Sequence, residues 1–137
     1  LLNTLDDLGI GSIAFTPLAQ GLLTSKYLQG VPEESRANQD KSLDRQKLTP
    51  ELVENLKALN ELASGRGQTL AQMALAWVLR GERMTTALIG ASTTKQILDC
   101  AGAVDRLDFT DSELSKIDKL SGDIGINLWA KSSETES

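Results

Sequence analysis

The sequence has 137 residues, of which 40% are hydrophobic and 24% are charged, and its formal net charge is -5. This length suits about one globular domain, and the acidic balance argues against a nucleic-acid partner, whose phosphates require clustered Lys and Arg. No stretch approaches the roughly 20 apolar residues of a membrane span, and the start lacks the basic region of a signal peptide. We therefore expect a cytoplasmic protein with no membrane partner.

Two residue types limit the chemistry of this sequence. Cys100 is its single cysteine, which excludes an internal disulfide and suits a reducing compartment. Histidine is absent, which excludes a His-based catalytic dyad or triad and a His-ligated zinc site. We predict no metal site.

The first third of the chain predicts a helix end, a strand and a loop. "LLNTLDDLG" resembles the end of an amphipathic helix. Residues 9–18, "GIGSIAFTPL", place Ile, Ala and Phe between Gly and Pro, as in a short buried strand followed by a turn. Residues 19–48 have no sustained period and predict a long loop, which in a compact domain is often functional.

Helix caps mark the next elements. Thr49 as N-cap and Pro50 at the first helical position predict a helix with leucines at helical spacing, stopped by Gly65 or Gly67. A second, well-buried helix starts at Thr69, where the side chain of a glutamine three residues later can complete a capping box.

The last third of the chain predicts a strand and two helices. Residues 84–90, "MTTALIG", form the second strand candidate, and the sequence that follows, residues 93–104, has the pattern of a helix. A final helix begins at the capping box of Thr110 and Glu113.

The junction "LIGASTTKQILDC", residues 88–100, allows two interpretations. Gly90 permits a close approach of a ligand to the backbone, and Ser92 places a hydroxyl beside the free N–H groups of a helix start, which attracts phosphate. Alternatively, Gly90 is a turn residue and Ser92 or Thr93 is an ordinary N-cap.

Strands alternating with helices imply parallel pairing through crossovers. Two strands do not make a parallel sheet that can cover itself on both faces. We therefore expect the C-terminal part of a larger α/β protein. In a (β/α)8 barrel these strands would be the last quarter, and the loops after strands 7 and 8 often bind phosphate.

The segments "FTPLAQGLLTSKYLQGVPEESRA" and "LIGASTTKQILDC", in this order and separation, closely resemble the aldo-keto reductase family. The resemblance is closest to the branch of the potassium-channel β-subunits and the bacterial reductases of L-glyceraldehyde 3-phosphate and methylglyoxal. It covers nearly the whole sequence. It implies that residues 1–137 are the C-terminal portion of a single TIM-barrel domain, with strands 7 and 8 and their helices.

The resemblance also implies a bound NADP(H), which in this family lies across the C-terminal mouth of the barrel. The segment after strand 7 would line the pyrophosphate and its ribose, basic residues would contact the phosphates and the adenosine end, and the segment after strand 8 would surround the 2′-phosphate and adenine. The matching residues are Thr16, Pro17, Leu18, Gly21, Leu22, Lys26, Arg36, Gly90, Ser92, Gln96 and Asp99.

Some of these assignments have alternatives. From the residues alone, Lys26 and Arg36 are equally explained as solvated loop charges. Asp99 keeps a carboxylate that can accept from the adenine amino group, whereas Cys100 stands where the family often has an amide, a better hydrogen-bonding group. We expect weaker binding at the adenine end.

The resemblance implies reduction of a small aldehyde by hydride transfer, assisted by Asp, Tyr, Lys and His on earlier strands. This sequence contains none of those segments, so we assign no catalytic residue, and Tyr27 is not assigned as proton donor. Two alternatives are a regulatory or scaffold subunit like the channel β-subunits and a truncated remnant without activity. The open strand edges predict self-association or pairing with the missing N-terminal part.

Overall fold

The computed structural model describes residues 2–25, 28, 48–81 and 84–122. The strands and α-helices in these ranges follow the order predicted from the sequence, whereas a 3-10 helix begins the predicted loop of residues 19–48, most of which lies outside the described residues. The elements are α1 (Leu2–Asp7), β1 (Ile13–Phe15), a 3-10 helix (Ala19–Gly21), α2 (Pro50–Gly65), α3 (Leu70–Leu79), β2 (Thr86–Leu88), α4 (Thr94–Ala101), a second 3-10 helix (Gly102–Asp105) and α5 (Asp111–Leu120).

The two strands form a parallel sheet, as the alternation of strands and helices predicted. Ile13 pairs with Thr86 and Phe15 with Leu88, and α2 and α3 lie in the crossover between the strands. Each strand has only three residues and is shorter than the predicted apolar stretch. Because the strands run in the same direction, the segments that follow them leave the sheet at the same edge.

The caps predicted from the sequence are formed. The Thr49 side chain accepts a hydrogen bond from the backbone N–H of Leu52, the third residue of α2. The capping boxes of Thr69 with Gln72 and of Thr110 with Glu113 are complete, with both side chains bonded to the backbone of the partner. These bonds satisfy N–H groups that have no partner within the helix.

The predicted helix over residues 93–104 is shorter in the structure. The α-helix ends at Ala101, and residues 102–105 continue as a 3-10 helix. Gly102 bonds through its N–H to the carbonyl three residues earlier as well as to the one four residues earlier, which tightens the last turn. The low helix propensity of glycine explains the early end.

The hydrophobic core lies between the helices, with α2 packed against both α3 and α5. Burial of one such leucine contributes about 1.5–3 kcal/mol. One core member, Leu22, comes from the segment after β1 and thereby ties this segment to the helices. The core residues are Leu22, Leu52, Leu56, Leu59, Ala63, Leu70, Met73 and Ile117.

The sheet differs from the sequence prediction in its burial. Ile13 is 68% exposed, although the first strand was predicted to be buried, and Leu88 in the second strand is 56% exposed. Side chains alternate between the two faces of a strand, and Ala14 and Ala87 on the opposite face are half-buried. The described residues cover only one face of this two-stranded sheet.

Arg66 joins the end of α2 to the start of α5, and the sequence did not predict this role. Its side chain is 1% exposed and donates to Glu113 Oε2 at 2.7 Å, to the Asp108 carbonyl at 2.8 Å and to Gln68 Oε1 at 2.9 Å. The guanidinium also lies 3.8 Å from the ring centre of Phe109. A buried charge is tolerated here because it is paired and hydrogen-bonded.

Candidate cofactor site

The segments that follow β1 and β2 line one groove of about 1190 Å³ at the carboxyl edge of the sheet. The end of α2 and the start of α3 form another part of its wall. Residues far apart in the sequence are thus brought together, as expected for parallel strands. Eight of the predicted cofactor residues line the groove: Thr16, Pro17, Leu18, Gly21, Gly90, Ser92, Gln96 and Asp99.

The other three predicted cofactor residues have different positions. Leu22 is only 3% exposed, and its side chain packs in the core rather than along the groove. Its assignment is therefore limited to a backbone contact. Lys26 and Arg36 lie outside the described residues, as does Tyr27, and their roles stay predictions.

The segment after β1 has an unusual backbone. Thr16, Ala19 and Gln20 have φ angles of 56°, 46° and 59°, in the left-handed region that favours glycine. Each such residue costs of the order of 1–3 kcal/mol, and strain of this kind is concentrated at functional sites. Thr16 and Gln20 both line the groove. This strain is consistent with a ligand-binding segment.

Backbone hydrogen bonds hold this segment in its coiled form. Ala19 N–H donates to the Thr16 carbonyl at 3.0 Å, and Gly21 N–H donates to the Leu18 carbonyl at 2.9 Å. The Thr24 hydroxyl donates to the Gly21 carbonyl at 2.6 Å. Together with the burial of Leu22 in the core, these hydrogen bonds fix the backbone of the segment that lines the groove.

The segment after β2 has its helix cap at Thr93, which decides between the two candidates for the N-cap. Thr93 Oγ1 accepts from the Gln96 N–H at 3.3 Å. Ser92 instead donates through its N–H and its hydroxyl to Gln96 Oε1, at 2.8 and 3.1 Å. Ser92 and Gln96 thus face the same part of the groove, as their spacing of one helical turn predicted.

Gly90 lies between β2 and this cap. A Cβ atom at Gly90 would meet no atom within 4 Å, so packing against the protein does not require a glycine. The predicted close approach of a ligand to its backbone stays a prediction.

Asp99 is held by the capping box of α3. Its Oδ2 accepts from the Thr69 hydroxyl at 3.2 Å, and its carbonyl accepts from Gln72 Nε2 at 2.9 Å. Beside it, burial raises the pKa of the Cys100 thiol, and the negative charge of Asp99 raises it further. Both Asp99 and Cys100 line the groove.

The wall of the groove that α2 and α3 contribute was not predicted from the sequence. Asn60 and Ser64 on α2 line the groove, together with Gln68 and Thr69 before α3. The signal in the sequence is weak: Asn60 and Ser64 are one helical turn apart and share a face of a helix whose other face is rich in leucine. Only the packing of α2 beside the segment after β1 turns this polar face into a wall.

The charge of the described groove residues is only partly suited to a negatively charged ligand. Asp99 is the one charged side chain among the described lining residues. Backbone N–H groups and hydroxyls at the start of α4 can attract an anion. Lys26 and Arg36, the predicted sources of positive charge, lie outside the described residues. Within the described ranges, no group of three or more His, Cys, Asp or Glu is placed to hold a metal ion. None of the helices described is long and apolar enough to cross a bilayer.

Comparison with known proteins identifies the family. Residues 1–122 match the sequence model of the Aldo/keto reductase family. The chain belongs to the aldo/keto reductase family. The predicted resemblance is confirmed, and aldo/keto reductases are oxidoreductases that generally use NADP(H).

Two curated relatives represent the two kinds of protein in the branch predicted from the sequence. The L-glyceraldehyde 3-phosphate reductase of Escherichia coli O157:H7 is 48% identical over 138 residues, which cover 98% of this chain and 40% of that protein. A putative voltage-gated potassium channel subunit beta of Schizosaccharomyces pombe is 37% identical over 117 residues, which cover 82% of this chain and 34% of that protein. The chain thus spans about 40% of the length of its reductase relative.

Proposed function

We propose that this chain supplies the NADP(H)-binding part of a reductase that transfers hydride to the carbonyl carbon of a small aldehyde. One observation carries the proposal: the segments after β1 and β2 meet in a single groove that contains eight of the predicted cofactor residues. The 48% identity to an L-glyceraldehyde 3-phosphate reductase favours an aldehyde as the substrate. In this proposal β1 and β2 are strands 7 and 8 of a (β/α)8 barrel, and residues 1–137 belong to one domain.

The start of α4 is the proposed site of the 2′-phosphate. The Ser92 N–H and hydroxyl both point to one acceptor, Gln96 Oε1. A phosphate oxygen can replace that amide oxygen if the Gln96 side chain rotates, because phosphate is the stronger, charged acceptor. The helix start adds a favourable field for the negative charge.

The remaining contacts follow the groove in both directions. The backbone of Thr16 to Leu18 and of Gly21 would line the pyrophosphate and its ribose, with Lys26 and Arg36 supplying positive charge. Asp99 would accept a hydrogen bond from the adenine amino group at the other end. The bound dinucleotide would supply the hydride, and this chain would contribute binding and orientation.

A titration of the purified protein with NADPH, followed by fluorescence and run beside NADH, tests the proposal. A hydrogen bond to a charged group is worth about 1.5–3 kcal/mol, so we expect NADPH to bind about tenfold more tightly than NADH or better. Alkylation of Cys100 provides a second readout, since it is the one cysteine of the sequence and it lines the groove. NADPH should slow this alkylation, and the concentration dependence should give the same dissociation constant as the fluorescence titration. A folded protein that shows neither effect would refute the proposal.

A regulatory subunit is the second candidate function. The observation that favours it is the 37% identity to a putative voltage-gated potassium channel subunit beta. Such a subunit would bind cofactor and assemble with a partner without steady turnover. Sustained reduction of an aldehyde by the full-length protein would favour the reductase, whereas cofactor binding without turnover would favour the regulatory subunit.

A further inference from the structure

The Thr69 hydroxyl makes two hydrogen bonds that serve different purposes. It accepts from the Gln72 N–H at 3.1 Å, which caps α3, and it donates to Asp99 Oδ2 at 3.2 Å. A hydroxyl has one proton to donate and lone pairs to accept, so both bonds form together. The residue that starts α3 is therefore also the residue that holds a carboxylate of α4.

Gln72 completes this link between the two helices. Its Oε1 accepts from the Thr69 N–H at 2.9 Å, and its Nε2 donates to the Asp99 carbonyl at 2.9 Å. A Cβ atom at Gly102 would lie 2.6 Å from Gln72 Nε2, so the side chain passes through space that only glycine leaves open. One capping box thus holds both the backbone and the carboxylate of Asp99.

This arrangement leaves one oxygen of Asp99 available beside the groove. Thr69 and Asp99 both line the groove, and Oδ1 accepts no hydrogen bond from any described residue. A carboxylate with one oxygen held loses most of its rotational freedom before a ligand arrives. Preorganisation of this kind raises both affinity and selectivity.

We propose that Thr69 is a positioning residue that orients the Asp99 carboxylate to select a ligand ring with an exocyclic amine. The inference rests on the proposed function, in which the ring is the adenine of NADP(H). Thr69 makes no contact with the ligand in this proposal and acts through Asp99. The amine donates to the available oxygen, whereas a ring with a keto oxygen at that position is repelled.

Two substitutions at Thr69 separate positioning from capping. Thr69→Ser keeps the donor and the acceptor. Thr69→Asp keeps a good N-cap acceptor but has no proton to donate when ionised, and its negative charge repels Asp99. Thr69→Gly removes the hydroxyl without adding a charge and serves if the aspartate variant does not fold. Circular dichroism and thermal unfolding check the fold of each variant.

The binding experiment compares NADPH with its analogue in which hypoxanthine replaces adenine. The parent protein and Thr69→Ser should prefer NADPH about tenfold or more. Thr69→Asp should bind NADPH about five- to tenfold more weakly and bind the analogue nearly as well as NADPH. A merely structural role for Thr69 would weaken both ligands equally and leave their ratio unchanged, which would overturn the inference.

A measurement without ligand distinguishes failure of this inference from failure of the proposed function. Three-bond NMR couplings of the Asp99 side chain should indicate one χ1 rotamer in the parent and in Thr69→Ser, and averaging in Thr69→Asp. Unchanged couplings in Thr69→Asp would overturn the inference even where NADPH binds. A parent protein that binds neither dinucleotide would overturn the proposed function and, with it, the role of Thr69 in ligand selection.

Discussion

Oε2 of Glu113 accepts two hydrogen bonds, one from the Arg66 guanidinium at 2.7 Å and one from the Thr110 backbone N–H at 2.8 Å. The same carboxylate oxygen therefore completes the cap of α5 and neutralises the buried charge at the end of α2. Removal of either partner leaves the other with an unsatisfied group, so the effects of substitution should exceed those of an ordinary surface ion pair.

Arg66→Ala should lower the free energy of unfolding by about 3–5 kcal/mol, because it breaks a buried, hydrogen-bonded ion pair. Urea denaturation measures this loss. Lys57→Ala is the matched control, since Lys57 and Glu54 form an exposed pair at 2.7 Å whose loss should cost at most about 1 kcal/mol. Equal losses in the two variants would contradict a special role for Arg66.

The free energy of unfolding should decrease at acidic pH, because the Glu113 carboxylate becomes protonated. The N–H of Thr110 lowers the pKa of Glu113, burial opposes this in part, and Arg66 lowers the pKa further. The ionised form is favoured in the folded state, so its contribution is complete above the unfolded value of about 4.3 and is lost as the pH falls through the lower folded value.

Unfolding free energies across the acid range check this pH dependence. Glu113→Gln should be less stable than the parent near neutral pH, and the difference should shrink as the pH falls. Glu54→Gln, at an exposed position, should instead follow the pH profile of the parent. A Glu113→Gln profile parallel to that of the parent would show that this carboxylate does not contribute.

Alkylation of Cys100 should depend on Asp99. Burial is the main cause of the raised pKa of Cys100 and the charge of Asp99 is the second, and only the thiolate reacts. Asp99→Asn should move the pH profile of the alkylation rate part of the way toward lower pH, because burial persists. Asp105→Asn, with no groove contact among the described residues, should leave the profile in place.

The cap of α4 should be sensitive to Thr93 and insensitive to Ser92. Thr93→Ala removes the acceptor of the Gln96 N–H and should cost about 1 kcal/mol of stability. Ser92→Ala keeps the backbone N–H that donates to Gln96 and should cost about 0.5 kcal/mol or less. Thermal unfolding of the two variants measures the difference, and the reverse order would show that Ser92 is the cap.

Ser92→Glu should weaken NADPH binding and spare NADH, because the new carboxylate repels the 2′-phosphate. The neutral variant Ser92→Gln has nearly the same size and should weaken NADPH less. Fluorescence titrations of both variants with both dinucleotides provide the comparison. Unchanged NADPH affinity in Ser92→Glu would place the 2′-phosphate elsewhere.

Much of the local structure was predictable because it depends on residues three or four positions apart. The caps at Thr49, Thr69 and Thr110 each pair a side chain with a backbone N–H within one turn. The parallel sheet was predictable from the alternation of strands and helices. Burial of the first strand was predicted wrongly for the described residues, since a sheet of two short strands exposes one face whatever its apolar content.

The order of elements, the caps at Thr49, Thr69 and Thr110 and the family could be predicted from the sequence, because they depend on local spacing and on motifs read in order. The tertiary fold was needed to show that Thr93 rather than Ser92 caps α4, and that Leu22 packs in the core. It also decided the pairing of Arg66 with Glu113 and of Thr69 with Asp99, 47 and 30 residues apart. Such pairs leave no periodic pattern in a single sequence. They form when separate parts of the chain pack together, and no helix or strand period sets the number of residues between the two side chains.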